Sequence, residues 1–273
     1  MSDVTGKTVV VSGSSSGIGE GIAILFASLG ANVTVCGRDE ARLQEVAKTC
    51  EKAARDSGHT SKVLTVPGDM TSAEIRKETI QRTVEVFGGL DVLVANHGVH
   101  VPSASLETTT EENFDTQINI TVKSKLFLIK EAVPYLEKKK GCIVVVSSIL
   151  STMPGIYGLP YNMSMSALDH MVRCLALELA PKGIRVNAIN PTLVATRIFR
   201  GSEFDLVSGD LGEYLAMAHP LEGRFSTVEE QARAVLFLAS EAASFISGEC
   251  LKVDGAATIK GNALNFYTPP STS

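Results

Sequence analysis

The sequence predicts an α/β fold: one doubly wound parallel sheet of about seven strands with helices on both faces. Three observations predict it. Short apolar runs alternate with amphipathic stretches along the chain, the order that gives parallel strands joined by crossover helices. The strand-like runs are continuous rather than alternating, as in Val9-Val10-Val11 and Ile143-Val144-Val145-Val146, which suits strands buried on both faces. The first of them runs directly into a Ser/Gly turn, Ser12-Gly13-Ser14-Ser15-Ser16-Gly17-Ile18-Gly19, at the head of a helix.

That helix carries Ile22, Ala23, Leu25 and Phe26 on one face. Strand, glycine turn and helix together can hold a phosphate, because the backbone comes close and the helix N-terminus offers free N–H groups and a positive dipole end. The spacing Gly13-xxx-Gly17-x-Gly19 differs from the G-x-G-x-x-G dinucleotide fingerprint. Gly13-Ser14-Ser15-Ser16-Gly17 also fits the G-x-S-x-G elbow of hydrolases, with Ser15 as nucleophile. Such an elbow normally follows several strands, whereas this turn follows the first.

The second strand, Ala31–Cys36, ends in Gly37-Arg38-Asp39. At this edge an acidic residue accepts from an adenosine 2′-hydroxyl, while an arginine accommodates a 2′-phosphate. Gly37 stands at the acid position and Arg38 follows it. Arg38 therefore reads either as a phosphate ligand or as the solvated start of the helix over 39–57, with Leu43, Val46 and Ala47 inward. The third strand, Val63–Val66, closes in Gly68-Asp69-Met70, where Asp69 can cap a helix over 71–87 or face the cleft. The fourth runs from Leu90 to the turn Ala95-Asn96-His97-Gly98. His97 and His100 lie three apart, but no third ligand accompanies them, so no metal site is expected.

The pattern over 113–139 predicts one long helix with Phe114, Ile118, Val122, Leu126 and Ile129 at helical spacing and Asn119 in its middle. The fifth strand ends at Ser147-Ser148. Thirteen residues on, Tyr161 opens a helix with Ala167, Leu168, Met171, Val172, Leu175 and Leu179 inward. A sixth strand, Ile184–Asn190, leads into Pro191-Thr192, and a last one reaches Val253-Asp254-Gly255.

Composition bounds the partners. The 273 residues are 44% hydrophobic, enough for one domain, taken as 1–261 with 262–273 as a flexible tail. A net charge of −5 and a pI near 5.6 argue against nucleic acid. The five cysteines show no metal spacing and suit buried thiols in a reducing compartment. Neither a secretory h-region at the start nor an apolar run near the ~20 residues of a membrane helix is present, so a cytoplasmic protein is expected.

These motifs together resemble the short-chain dehydrogenases/reductases, along residues 5–257. Ser12-Gly13-xxx-Gly17-x-Gly19 is similar to their T-G-x-x-x-G-x-G turn, and Asn96 and Gly98 match two positions of their N-N-A-G. Phe114-Asp115 with Asn119 is similar to their F-D-x-x-x-x-N but one residue shorter, and Ser148 with Tyr161 match their serine and tyrosine. The resemblance implies a Rossmann-like fold, an NADP(H) cofactor favoured by Arg38 over NAD(H), and a small carbonyl or alcohol substrate. It implies that Tyr161 exchanges the alcohol proton, Ser148 bonds the carbonyl oxygen and Asn119 holds a water. Gly13, Ser15, Ser16, Gly17, Ile18 and Gly19 would bind the dinucleotide, with Asp69 and Met70 at the adenine. Asn96, Gly98, Tyr161, Pro191, Thr192, Val194 and Thr196 would line its nicotinamide half. The stretch at about 193–226 would be an irregular substrate lid. Helices 113–139 and 161–180 carry extra apolar residues (Phe127, Leu128, Val133, Met163, Leu177), and the resemblance implies that they form a homotetramer or homodimer.

One position departs sharply. The family's Y-x-x-x-K reads Tyr161-Asn162-Met163-Ser164-Met165, with Met165 in place of the lysine. Residues four apart share a helical face, so a lysine would set its ammonium beside the phenol. A thioether neither lowers the phenol pKa nor holds a ribose hydroxyl. No nearby lysine is an obvious substitute, since Lys182 lies near the other end of the helix. Depressed activity, or a scaffold that binds the dinucleotide without turnover, is therefore expected.

Overall fold

The computed structural model describes residues 4–103, 105–155, 158–196 and 209–260. Seven parallel strands form one sheet in the order β3-β2-β1-β4-β5-β6-β7. They are β1 (Thr8–Ser12), β2 (Asn32–Gly37), β3 (Val63–Pro67), β4 (Val92–Ala95), β5 (Cys142–Val146), β6 (Arg185–Pro191) and β7 (Cys250–Val253). The order reverses between β1 and β4, which pair directly (Val9 with Val92, Val11 with Val94). Loops leaving the carboxyl ends of these two strands diverge and open a crevice.

The continuous apolar runs serve both faces. Val9 and Val11 point into one core with Ile22 and Phe26 of α1 (Gly17–Ser28), Leu43 of α2 (Glu40–Asp56) and Val235 of α8 (Val228–Ala239). Val10 points into the other, with Ile80 of α3 (Ala73–Phe87), Leu128 of α5 (Ser124–Lys139) and Leu168 of α6 (Leu159–Leu179). Strand β5 repeats the alternation: Val144 and Val146 join the first core, Ile143 and Val145 the second.

Several expectations are corrected. The helix over 113–139 is two helices, α4 (Glu111–Ile118) and α5, joined by a π turn at Asn119–Lys123. A π turn adds one residue to the helical repeat and rotates the segment after it. Leu126 accordingly lies outward at 38% exposure, while Lys125 takes the inward position. Leu128, expected on an outer face, is fully buried in the core. Asp69 does not cap α3: Ser72 does, and Asp69 accepts from the Thr71 amide and hydroxyl in a local turn. The span 193–226 is partly helical, with α7 at Gly209–Ala216; its residues 197–208, like the tail 262–273, lie outside the described residues. A short helix, α9 (Ala257–Lys260), follows β7. All five cysteines are free thiols, three of them buried. Among the described residues no helix is long and apolar enough to cross a membrane, and no cluster of metal-ligating side chains occurs.

Candidate active site

Every strand from β1 to β6 ends at one cleft of about 1220 Å³. Its floor begins at the glycine turn. Gly13 has φ +66°, and a Cβ there would stand 2.7 Å from the His97 Cα, so the β1 and β4 turns nest only because it is glycine. Asn96 locks the nest by donating from Nδ2 to the Ser12 and Gly13 carbonyls, each at 3.0 Å. Gly19 faces this lock rather than the cleft: a Cβ on it would strike Asn96 Nδ2 and the Gly13 carbonyl.

His97 completes the joint. Its Nδ1 lies 2.7 Å from Ser12 Oγ and its Nε2 2.7 Å from Ser124 Oγ, tying β1 to the start of α5. Burial, with the nearby charges of Lys125 and Arg76, holds its pKa well below the ordinary histidine value. A neutral ring with one N–H suits two hydroxyl partners, and both nitrogens are then spent on structure.

At the mouth of the crevice stands the N-terminus of α1. Its cap residue Ser16 makes no side-chain cap, whereas Asp39, Ser72, Thr110 and Thr227 cap α2, α3, α4 and α8. The first N–H groups of α1 thus meet the cleft lined by Ser15, Ser16, Gly17 and Ile18. This donor set fits an anionic diphosphate. Arg38 lies exposed on the β2 side of the same cleft. The neighbouring Asp39 caps α2 and pairs with Arg42 at 3.0 Å, so its charge is already answered. Asp69 and Met70, after β3, close that end.

The other end holds the hydroxyls. Ser148, after β5, and Tyr161, in the first turn of α6, both line the cleft, and both are nearly buried. Burial pushes the Tyr161 phenol up to about 12, and its hydrogen bond with Ser148 draws it back in part. A protonated phenol paired with a serine hydroxyl can bind a carbonyl oxygen and give it a proton. The His100 ring lies 5.1 Å from the Tyr161 ring, narrowing the entrance. Pro191, Thr192, Val194 and Thr196, after β6, form the opposite wall with Gly98.

The structure therefore gathers in one cleft all the expected residues except Gly19, which sits behind the turn, and Asn119. Asn119 opens the π turn, is only half-buried and does not line the cleft, where Ile120 does. Met165 lies in the cleft wall at 3% exposure. His219 and Lys125 are among the cleft residues that the sequence does not mark. His219 packs behind Thr192, its Nε2 2.6 Å from the Thr192 hydroxyl; nothing in the local sequence marks it. Lys125 reaches the cleft from α5. A lysine three residues before Leu128 and four before Ile129, on an apolar stripe, was the signal that the unseen π turn concealed.

Comparison with known proteins agrees with this geometry. A family model described as enoyl-(acyl carrier protein) reductase matches residues 13–258. Glucose 1-dehydrogenase of Gluconobacter oxydans is 37% identical over 270 residues, 96% of each chain. Among solved structures, 3-ketoacyl-(acyl-carrier-protein) reductase from Brucella melitensis, complexed with NADH, superposes with a TM-score of 0.82. It is 29% identical and covers 94% of this chain and 100% of its own. A short-chain dehydrogenase from Burkholderia cenocepacia in complex with NADP gives 0.83 at 27% identity, covering 96% and 100%.

Proposed function

The chain belongs to the short-chain dehydrogenase/reductase family, and from that premise we propose that it is an NADPH-linked reductase of carbonyls, or dehydrogenase of secondary alcohols. The observation that carries the reading is the cleft itself: an uncapped helix N-terminus at one end and the Ser148–Tyr161 pair at the other, joined along the carboxyl edge of the sheet. When bound, the dinucleotide supplies hydride chemistry. The residues do the rest. The α1 amides and the glycine turn hold the diphosphate, and Arg38 pairs with a 2′-phosphate. Ser148 fixes the substrate oxygen, and Tyr161 gives it a proton in reduction or takes one in oxidation. Gly98, Pro191, Thr192, Val194 and Thr196 confine the reacting ring, with Asn96 bracing the turn beneath it.

Met165 favours a second reading, a scaffold that binds the dinucleotide without turnover. Titration of NADPH and NADH, followed by hydride transfer to a panel of ketones, tests both. Tight NADPH binding with transfer supports the reductase; tight binding without transfer supports the scaffold. Phe127, Met163 and Leu177 are exposed on α5 and α6, which supports a homodimer or homotetramer through these helices. A monomeric mass by light scattering at micromolar concentration would refute that assembly. A cytoplasmic location completes the proposal.

A further inference from the structure

The cleft contains a buried cation for which the reductase reading has no task. Lys125 lies in the first turn of α5, is 1% exposed, and lines the wall formed by Val146, Ser148, Tyr161 and Met165. Its Nζ donates to the Val146 carbonyl at 2.8 Å. An ammonium has three donors, and that carbonyl takes one. Burial brings its pKa down to about 7, with no carboxylate working against the shift. A buried charge without a counter-charge is strongly unfavourable. The rest of this helix face is filled by Leu128, Ile129, Ala132 and Leu136, so an apolar side chain would be the stable choice. The ionisable groups nearest the ammonium supply no counter-charge. His97 is neutral, and Arg76, itself a cation, donates to the Met70 and Thr71 carbonyls.

The tyrosine helix shows the complementary exchange. Met165 puts a thioether one helical turn from Tyr161, where Y-x-x-x-K calls for an ammonium, and the ammonium stands instead on the neighbouring helix. We propose that Lys125 is the relocated cation: from α5 it holds the ribose hydroxyls beside the nicotinamide and faces the Tyr161 phenol. This rests on the reductase reading of the cleft, and it removes the reason to expect Met165 to silence the enzyme.

The test exchanges the charge between helices. Lys125→Met should weaken NADPH binding, read by cofactor fluorescence, by about 10- to 100-fold, the worth of one or two charge-assisted hydrogen bonds. Adding Met165→Lys to that variant should restore most of the affinity and the turnover. Rescue from a different helix cannot come from a lysine whose role is to prop up α5. Unchanged affinity in Lys125→Met, or a loss that Met165→Lys does not repair, overturns the proposal. A second readout uses the ligand-free protein. The lysine side-chain carbon resonance that vanishes in Lys125→Met should titrate near neutral pH and, if the ammonium faces the phenol as proposed, move to lower pH in Tyr161→Phe. An identical titration in Tyr161→Phe overturns the contact. Should the unmodified chain bind neither NADPH nor NADH, the reductase reading fails at that step, while the ligand-free titration still decides whether Lys125 and Tyr161 share a site.

Discussion

Replacing Arg38 with aspartate should invert the cofactor preference. The side chain is exposed at the end of β2, so its pairing with a 2′-phosphate is a solvated one and belongs at the lower end of the range for charged hydrogen bonds, about 1.5–2 kcal/mol. The neighbouring Asp39 does not oppose it, because Arg42 holds that carboxylate at 3.0 Å and α2 uses it as a cap. Aspartate at position 38 adds repulsion between like charges, about 1 kcal/mol at ~4 Å in water. NADPH should therefore bind Arg38→Asp more weakly by about 2.5–3 kcal/mol, or roughly 70- to 150-fold. NADH lacks the phosphate and should bind as well as before or better, since a carboxylate accepts from its 2′-hydroxyl. Calorimetric or fluorescence titration of both cofactors measures the ratio, and raised ionic strength should compress it. Equal affinities in the unmodified protein, or an unchanged ratio in Arg38→Asp, would refute the reasoning.

Other perturbations probe the frame and the proton chemistry. Gly19→Ala should displace Asn96 from the glycine turn, costing about 2–4 kcal/mol from overpacking and lost hydrogen bonds. Thermal unfolding should fall by about 5–15 °C, and a variant melting with the parent would contradict the interlock. Burial pushes the Tyr161 phenol up to about 12, so the phenolate that alcohol oxidation needs is scarce at neutral pH, while the phenol that reduction needs is abundant. Oxidation should therefore rise with pH between about 6 and 10 while reduction does not, and parallel profiles would count against Tyr161 as the proton carrier. Lys125→Met should stabilise the ligand-free fold by about 1–4 kcal/mol at pH 6. The native lysine has a pKa of about 7 against 10.5 when unfolded, so its penalty is complete below pH 7 and fades as pH rises toward 10.5. Urea unfolding at pH 6 and 9 should show the advantage shrinking; a destabilised variant at pH 6 would mean that the lysine is a structural prop.

The parts of the site legible in the sequence are those that end a strand. Gly13, Arg38, Asp69, Asn96, Ser148 and Thr192 each come just after a short apolar run, and a parallel sheet delivers all such positions to one edge. Tyr161 was legible because α6 starts beside that edge. The failures lie where backbone hydrogen bonding, rather than side-chain pattern, sets the register. At the π turn over Asn119–Lys123, Asn119 does not line the cleft, Leu126 lies outward and Lys125 lies inward, and apolar spacing at a constant helical repeat cannot show this. His219 was illegible for a different reason: it reaches Thr192 from 27 residues away, through a contact that no local motif encodes.

The most direct test of the hydride-transfer cleft is a single-turnover reaction with NADPH deuterated at the transferable position, run against a panel of ketones and read by mass spectrometry. Deuterium should appear at the carbinol carbon of at least one product. In Tyr161→Phe that transfer should slow by about 100- to 10,000-fold, with NADPH affinity retained. Tight NADPH binding with no deuterium in any product, or transfer undiminished in Tyr161→Phe, would contradict the account.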